Sequence, residues 1–234
     1  MVYQVGDKSG VYCIESAGQA RVYFVGAPEN TLIDAGMPGK ADKIISALAQ
    51  IGVQPLQVKR IIVTHHHWDH VGGLWELKKR TGAEIIAHSR DADYISGKRP
   101  RRAPRRLPGR VMYAIFGLVG ARNVPAVEVD RCVNDGDRIG AFVVVHTPGH
   151  TPGHICLLRG DSLFSGDLLQ AISPAFRETP HMLTADVPTS RVSIRKIAGL
   201  EFQAILSSDN PPYVFRASER VRALASKFGG KLDS

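Results

Sequence analysis

A chain of 234 residues holds one large domain or two small ones and buries a sizeable core without staples. Its three cysteines, Cys13, Cys132 and Cys156, are an odd count at unrelated spacings, so they read as buried hydrophobes in a reducing compartment and exclude a disulfide frame. The formal charge of +8 is local, because Lys98 to Arg110 carries seven basic residues and no acidic one.

The start, Met1-Val2-Tyr3-Gln4-Val5-Gly6-Asp7-Lys8, lacks a basic stretch followed by an apolar one, so no signal peptide is expected and the reading places the protein in the cytoplasm. No apolar run approaches the roughly 20 residues that span a bilayer. Short strands are predicted at about 10–15, 20–26 and 31–34, then a helix near 40–51 and a strand at 60–64. That strand, Ile61-Ile62-Val63-Thr64, runs into His65-His66-His67-Trp68-Asp69-His70 and then Val71-Gly72-Gly73. Imidazole and carboxylate are the preferred ligands of zinc and other transition metals. If extended backbone continues through the run, its period of two sets His65 and His67 on one side and turns His66 away. Asp69 and His70 follow in a turn, in directions that suit a second ion close to the first.

A helix with Leu74 and Leu77 comes next, and Ala83-Glu84-Ile85-Ile86-Ala87 reads as a strand. The basic stretch Lys98 to Arg110 contains three prolines and a glycine and reads as an exposed loop, followed by an apolar helix at 111–120. Three roles suit the pair: a solvated loop followed by a helix that packs beside the active-site mouth, a cationic rim that draws an anionic substrate, or a peripheral lipid contact. Nucleic acid is not expected as a partner, because the run lacks interleaved aromatic residues and any recognisable binding module.

Strands are predicted near 126–129, 141–146, 154–159 and 162–165, helices near 188–199 and 216–228, and a strand at 203–207 between them. The strand at 141–146 leads into His146-Thr147-Pro148-Gly149-His150-Thr151-Pro152-Gly153-His154, whose Pro-Gly steps force tight bends. Ser162-Leu163-Phe164-Ser165-Gly166-Asp167 is again a strand that ends in Gly and a carboxylate.

These motifs resemble the metallo-β-lactamase superfamily, with its HxHxDH element, lone His, Asp and final His. His65, His67, Asp69 and His70 match the first element, His150 the second and Asp167 the third. Leu32-Ile33-Asp34-Ala35-Gly36 looks like the early turn whose Asp supports the metal loops from behind. The resemblance runs from near the amino terminus to about residue 215. It implies an α/β fold, the αββα sandwich of two mixed sheets with helices outside. Residues 1–234 then form a single domain with a basic insertion at about 97–121.

The resemblance also implies two divalent metal ions, zinc first, and a metal-dependent hydrolase that turns a metal-bound hydroxide on a small ester, thioester or lactone. One ion takes His65, His67 and His150; the other takes Asp69, His70 and Asp167. Asp69 in addition orients the nucleophile or shuttles its proton. The final element departs from the family: Ala204-Ile205-Leu206-Ser207-Ser208-Asp209-Asn210 places Asp209 where the His stands. Either Asp209 is the replacement ligand, which shifts the site toward Mn or Fe, or the second site is weak and His181 helps. His146 and His154 read as groups that hold the turn, and His66 and His88 as non-ligands.

The Thr-Pro-Gly-His stretch is similar to that of glyoxalase II-like thioesterases and related lactonases. The short stretch after Pro212 leaves no room for a helical domain that grips glutathione, so glutathione specificity is not expected. A mono-iron dioxygenase, a phosphodiesterase or nuclease, and a binding protein with a decayed site are the alternatives. Substrate identity and oligomeric state stay open.

Overall fold

The computed structural model describes residues 1–6, 10–100 and 124–229, Ser16 by its backbone alone. The apolar helix expected at 111–120 and most of the basic loop lie outside the described residues. Two compact units divide the chain, Met1–Val133 and Asn134–Ser234.

The first unit carries a seven-stranded sheet in chain order: β1 (Val2–Gln4), β2 (Val11–Ile14), β3 (Val22–Val25), β4 (Thr31–Ile33), β5 (Arg60–Val63), β6 (Glu84–His88) and β7 (Arg131–Val133). The sheet is mixed, with β1 to β4 antiparallel and β4 to β7 parallel. The parallel strands β4, β5 and β6 are nearly continuous apolar runs, as strands buried on both faces must be. Helix α1 (Ala41–Gln50) puts Ala41, Ile44, Ala47 and Leu48 on one buried face. Helix α3 (Leu74–Thr81) buries Leu74 and Leu77, and both helices share a core with Phe24, Leu32, Ile61 and Ile85. Lys78, Lys79 and Arg80 in its last turn suit the negative end of the helix dipole, and Gly82, at φ 67°, ends it in the left-handed conformation. Between these helices lies the single turn α2 (Trp68–Val71), and α4 (Ser89–Ile95) follows β6.

The second unit holds a five-stranded sheet in the order β14-β11-β10-β9-β8, built from β8 (Arg138–Ile139), β9 (Phe142–His146), β10 (Ile155–Arg159), β11 (Ser162–Gly166) and β14 (Ala204–Ser207). Strands β8 to β11 are antiparallel, while β14 joins β11 in parallel across an irregularity at Ser165. A small ribbon pairs β12 (Leu169–Gln170) with β13 (Arg177–Glu178). Helix α5 (Val187–Ala198) starts on Asp186, whose carboxylate accepts the Thr189 N–H, with Pro188 in the first turn. Its buried Ile194 and Ile197 pack with Val221 and Leu224 of α6 (Ala217–Ala225) against Cys156, Leu163 and Ile205. Each such aliphatic side chain contributes about 1.5–3 kcal/mol by leaving water.

The predicted elements fall close to those observed, with one displacement. The strand expected near 126–129 is irregular chain, and the pairing strand is β7, further on. Val124 and Val127 are buried in the core as expected of apolar residues, but the Val127 N–H goes to the Ile95 carbonyl, which ties this stretch to the end of α4. Only at Asp130, whose N–H meets the Ile85 carbonyl, does the chain reach β6. No helix among the described residues is long and apolar enough to cross a membrane.

Candidate metal centre

In the first unit the candidate ligands follow the carboxyl end of β5, and their support comes from the residue after β4. Asp34 sits at φ 64°, a conformation that Asp and Asn tolerate better than most residues, and is 1% exposed. Its carboxylate accepts the Thr64 N–H at 2.7 Å, the Thr64 hydroxyl at 2.8 Å and the His70 Nδ1–H at 2.8 Å. Having donated its proton, the Thr64 oxygen accepts from His65 Nδ1, 3.1 Å away. One carboxylate therefore assigns the tautomer of two imidazoles, the second through a hydroxyl. Both His65 and His70 carry their proton on Nδ1 and present a lone pair on Nε2, the state a metal requires.

His65 and His70 are fully buried, with ring centroids 3.9 Å apart, and the His65 and His67 rings meet edge to face at 4.7 Å. Ring nitrogens of His65 and His67 lie within 4.8 Å of one another, as do those of His65 and His70. Asp69 and His70 lie in α2 rather than in an open turn, and Asp69 Oδ2 stands 3.9 Å from His70 Nε2. The turn that carries α2 presses against the backbone of Met37 and Pro38: a Cβ on Gly72 would stand 2.2 Å from the Pro38 nitrogen. His66 points elsewhere. Its N–H and Nδ1 both meet Asp91 Oδ2, at 3.0 and 2.9 Å, and its ring stacks on Tyr94 at 4.4 Å. His88 accepts the Arg90 N–H and caps α4.

In the second unit the turn after β9 closes on itself, with the Thr147 N–H on the His154 carbonyl and the Gly149 N–H on the Thr151 carbonyl. Gly149 has φ 133°, and a Cβ there would stand 2.3 Å from the Ser190 nitrogen, so only glycine lets the turn seat on α5. His150 and Asp167 are buried, and His150 Nε2 lies 3.6 Å from Asp167 Oδ2. His154 works from behind. Its Nε2 accepts the Asp167 N–H at 3.2 Å, which places the proton on Nδ1, 2.9 Å from the Thr147 hydroxyl. His146 Nε2 lies 3.0 Å from the Pro152 carbonyl and holds the same turn. Asp209 stands exposed beyond β14, after the buried Ser207 and Ser208, and the Ser208 N–H meets the Gly166 carbonyl beside Asp167. His181 is likewise partly exposed, its Nε2 2.9 Å from Glu178 Oε1.

The first unit thus offers buried imidazoles beside the part-exposed Asp69 carboxylate, the second a buried imidazole and carboxylate, and the hydrogen bonds of His65 and His70 leave their Nε2 atoms in the ligating form. That donor chemistry fits a divalent transition metal. Thr64, Asp91 and Thr147 hold the rings of His65, His66 and His154 in turn, without having been singled out in the sequence. The signal for Thr64 was its place directly before the histidine run, whereas nothing in the spacing links Asp91 to a histidine 25 positions away.

Comparison with known proteins agrees with this chemistry. The profile of the family described as the metallo-beta-lactamase superfamily matches residues 16–206. The chain is 32% identical over 217 residues to the probable metallo-hydrolase YflN of Bacillus subtilis (strain 168), an alignment that takes in 82% of this chain and 81% of that protein. It is 32% identical over 145 residues to the hydroxyacylglutathione hydrolase GloC of Haemophilus influenzae, covering 59% of this chain and 60% of GloC, so it spans less than two thirds of that relative. Among solved structures, BJP-1, a subclass B3 metallo-beta-lactamase of Bradyrhizobium japonicum, superimposes with a TM-score of 0.69 at 24% identity over 97% of this chain and 91% of that one. This last likeness is one of fold, α/β with mixed sheets and helices.

Proposed function

Because the chain belongs to the metallo-β-lactamase superfamily, we propose that it is a metal-dependent hydrolase of a small ester, thioester or lactone. The observation that carries the reading is the Asp34–Thr64 network, which sets His65 and His70 in the ligating tautomer by hydrogen bonds of 3.1 and 2.8 Å respectively. A histidine cluster with a merely structural role has no need of that arrangement.

His65, His67, Asp69, His70, His150 and Asp167 would hold divalent cations, zinc first, and Asp209 would add a carboxylate from its exposed loop. When bound, such ions polarise a carbonyl oxygen and bring the pKa of a water from 15.7 to about 7. The chain's own groups do the rest. Asp34 and Thr64 keep the imidazoles in register, His154 fixes the backbone of Asp167, and Asp69 accepts at Oδ2 the proton of the attacking water. The proposal counts residues 1–234 as one functional domain with the basic stretch at 97–121 as an insertion, and its substrate as a small molecule.

Elemental analysis of protein purified without added metal, paired with an ester and lactone screen, tests it. About two equivalents of zinc or manganese, with hydrolysis lost to a chelator and restored by the metal, is the expected result. One iron and no hydrolysis would replace the reading with oxygen-dependent chemistry. Asp209→Ala in the same analysis lowers the metal content if Asp209 is a ligand, and an unchanged content removes it from the set.

A further inference from the structure

Among the described residues outside the candidate ligands, His181 is a chemically equipped group that the proposed mechanism leaves unused. Residues Thr179 to Asp186 form a strap after β13, tied at both ends to the backbone of candidate ligands. At its start the Thr179 hydroxyl donates to the Asp167 carbonyl at 2.5 Å. At its end the Ala185 N–H meets the His150 carbonyl at 3.3 Å and the Asp186 N–H meets the Gly149 carbonyl at 2.8 Å. His181 lies on this strap, two residues after Thr179.

Its imidazole is held by a built partner. Arg191 of α5 grips both oxygens of Glu178, Nε to Oε2 at 2.9 Å and an amino nitrogen to Oε1 at 2.8 Å, and its guanidinium lies over the Phe228 ring at 5.1 Å. Glu178 Oε1 also takes His181 Nε2, at 2.9 Å. The Arg191 fork alone already fixes Glu178, so the histidine is not needed to hold that carboxylate. Instead the carboxylate fixes the histidine, committing Nε2 and leaving Nδ1 on a ring whose side chain is 41% exposed. An imidazole oriented through one nitrogen by a carboxylate, with the other nitrogen left for a ligand, is the arrangement of an acid–base group.

We propose that His181 is the proton donor to the leaving group, and that the bond it serves is an oxygen ester or lactone. The assignment rests on the hydrolase reading above. Water oxygen adds to the carbonyl carbon. The tetrahedral adduct then breaks its bond to the leaving oxygen, the electron pair goes to that oxygen, and the proton on His181 Nδ1 passes to it, releasing an alcohol. His181 is left neutral with Nε2–H on Glu178, and solvent returns the proton. An alkoxide, whose alcohol is about as weak an acid as water at pKa about 15.7, needs this proton. A thiolate, with thiol pKa about 8.5, leaves without it.

The test is kcat/KM of the holoenzyme and of His181→Gln and His181→Ala on matched acetyl esters of p-nitrophenol, a thiol and a primary alcohol. Unchanged metal content and thermal midpoint certify the variants. The expected result is a loss of about 10²-fold or more on the alkyl ester and one at least about tenfold smaller on the nitrophenyl ester. Glu178→Gln gives a weaker loss in the same order. An equal loss across the series, no loss at all, or a parent enzyme active on the thioester alone overturns the assignment and leaves the hydrolase reading standing. A parent inactive on all three esters brings down both.

Discussion

Replacing Asp34 by Asn separates charge from shape at the point on which the histidine cluster of the first unit depends. Asn is nearly isosteric and tolerates the φ of 64° found here, so the backbone contributes little to the outcome. Three donors now meet a carboxylate: the Thr64 N–H, the Thr64 hydroxyl and the His70 Nδ1–H. Hydrogen bonds to a charged group are worth about 1.5–3 kcal/mol and neutral ones about 0.5–1.5, so loss of the charge costs about 1 kcal/mol for each. The new amide N–H₂ also replaces one acceptor oxygen. If it faces His70 Nδ1–H, a buried donor is stranded at about 1–3 kcal/mol. The sum is about 4–6 kcal/mol. At roughly 2–4 °C per kcal/mol for a chain of this size, the thermal midpoint of chelator-treated protein falls by about 8–24 °C. His70 has one escape, to move its proton to Nε2 and accept from the amide, and that closes the nitrogen to a metal. Circular dichroism melts of the metal-free variant, with zinc titration beside them, therefore show a lower midpoint, a lost metal equivalent, or both. A midpoint within about 2 °C of the parent together with full metal binding would refute the tautomer argument.

Two further outcomes follow from titrating groups. The bidentate Arg191 contact, working against partial burial and helped by His181, holds the Glu178 carboxyl down at about 2 against an ordinary 4.5. A depressed carboxylate stabilises the fold above its unfolded pKa, so this contribution is intact at neutral pH and fades as pH falls from about 4.5 toward 2. Arg191→Gln should show a shallower loss of thermal midpoint over that interval than the parent, and an identical slope would show that the pair does not couple to folding. Burial pushes the Cys156 thiol up to about 12 and raises that of Cys13, whereas Cys132 is exposed. Iodoacetamide on the native protein should therefore modify Cys132 alone by mass spectrometry, and rapid labelling of Cys13 or Cys156 would contradict their burial.

What the sequence disclosed and what it hid divide along the range of the forces involved. Local periodicity was legible: the apolar runs of β4, β5 and β6, and the spaced Ile44, Ala47 and Leu48 of α1, each report which face is buried. The alternation of His65, His66 and His67 was legible too, and it holds although β5 ends at Val63, because His67 at φ −66° and ψ 150° keeps an extended backbone. Contacts between distant positions were not legible. Asp91 takes His66 out of the cluster from 25 residues away, and the Arg191 fork reaches Glu178 across 13. The misplaced strand near 126–129 has the same cause, since valines suit irregular buried chain as well as they suit a strand, and the hydrogen bond of Val127 to Ile95 decides between them.

Strand direction in the two sheets has a consequence for how such a protein changes. In the second unit β9, β11 and β14 all run the same way, because β9 and β11 are each antiparallel to β10 and β14 is parallel to β11. The chain therefore leaves all three strands toward one rim, and the turn of His150, Asp167 and the Asp209 loop begin there. In the first unit β4, β5 and β6 are likewise co-directional, and Asp34, the histidine run and α4 follow their ends. Chemistry is mounted on loops while the ladders beneath remain untouched by it. A library that rewrites the exposed Pro180 and the half-buried Met182 and Leu183, keeping Thr179, Thr184, Ala185 and Asp186 as anchors, can therefore vary the strap with little loss of folding yield.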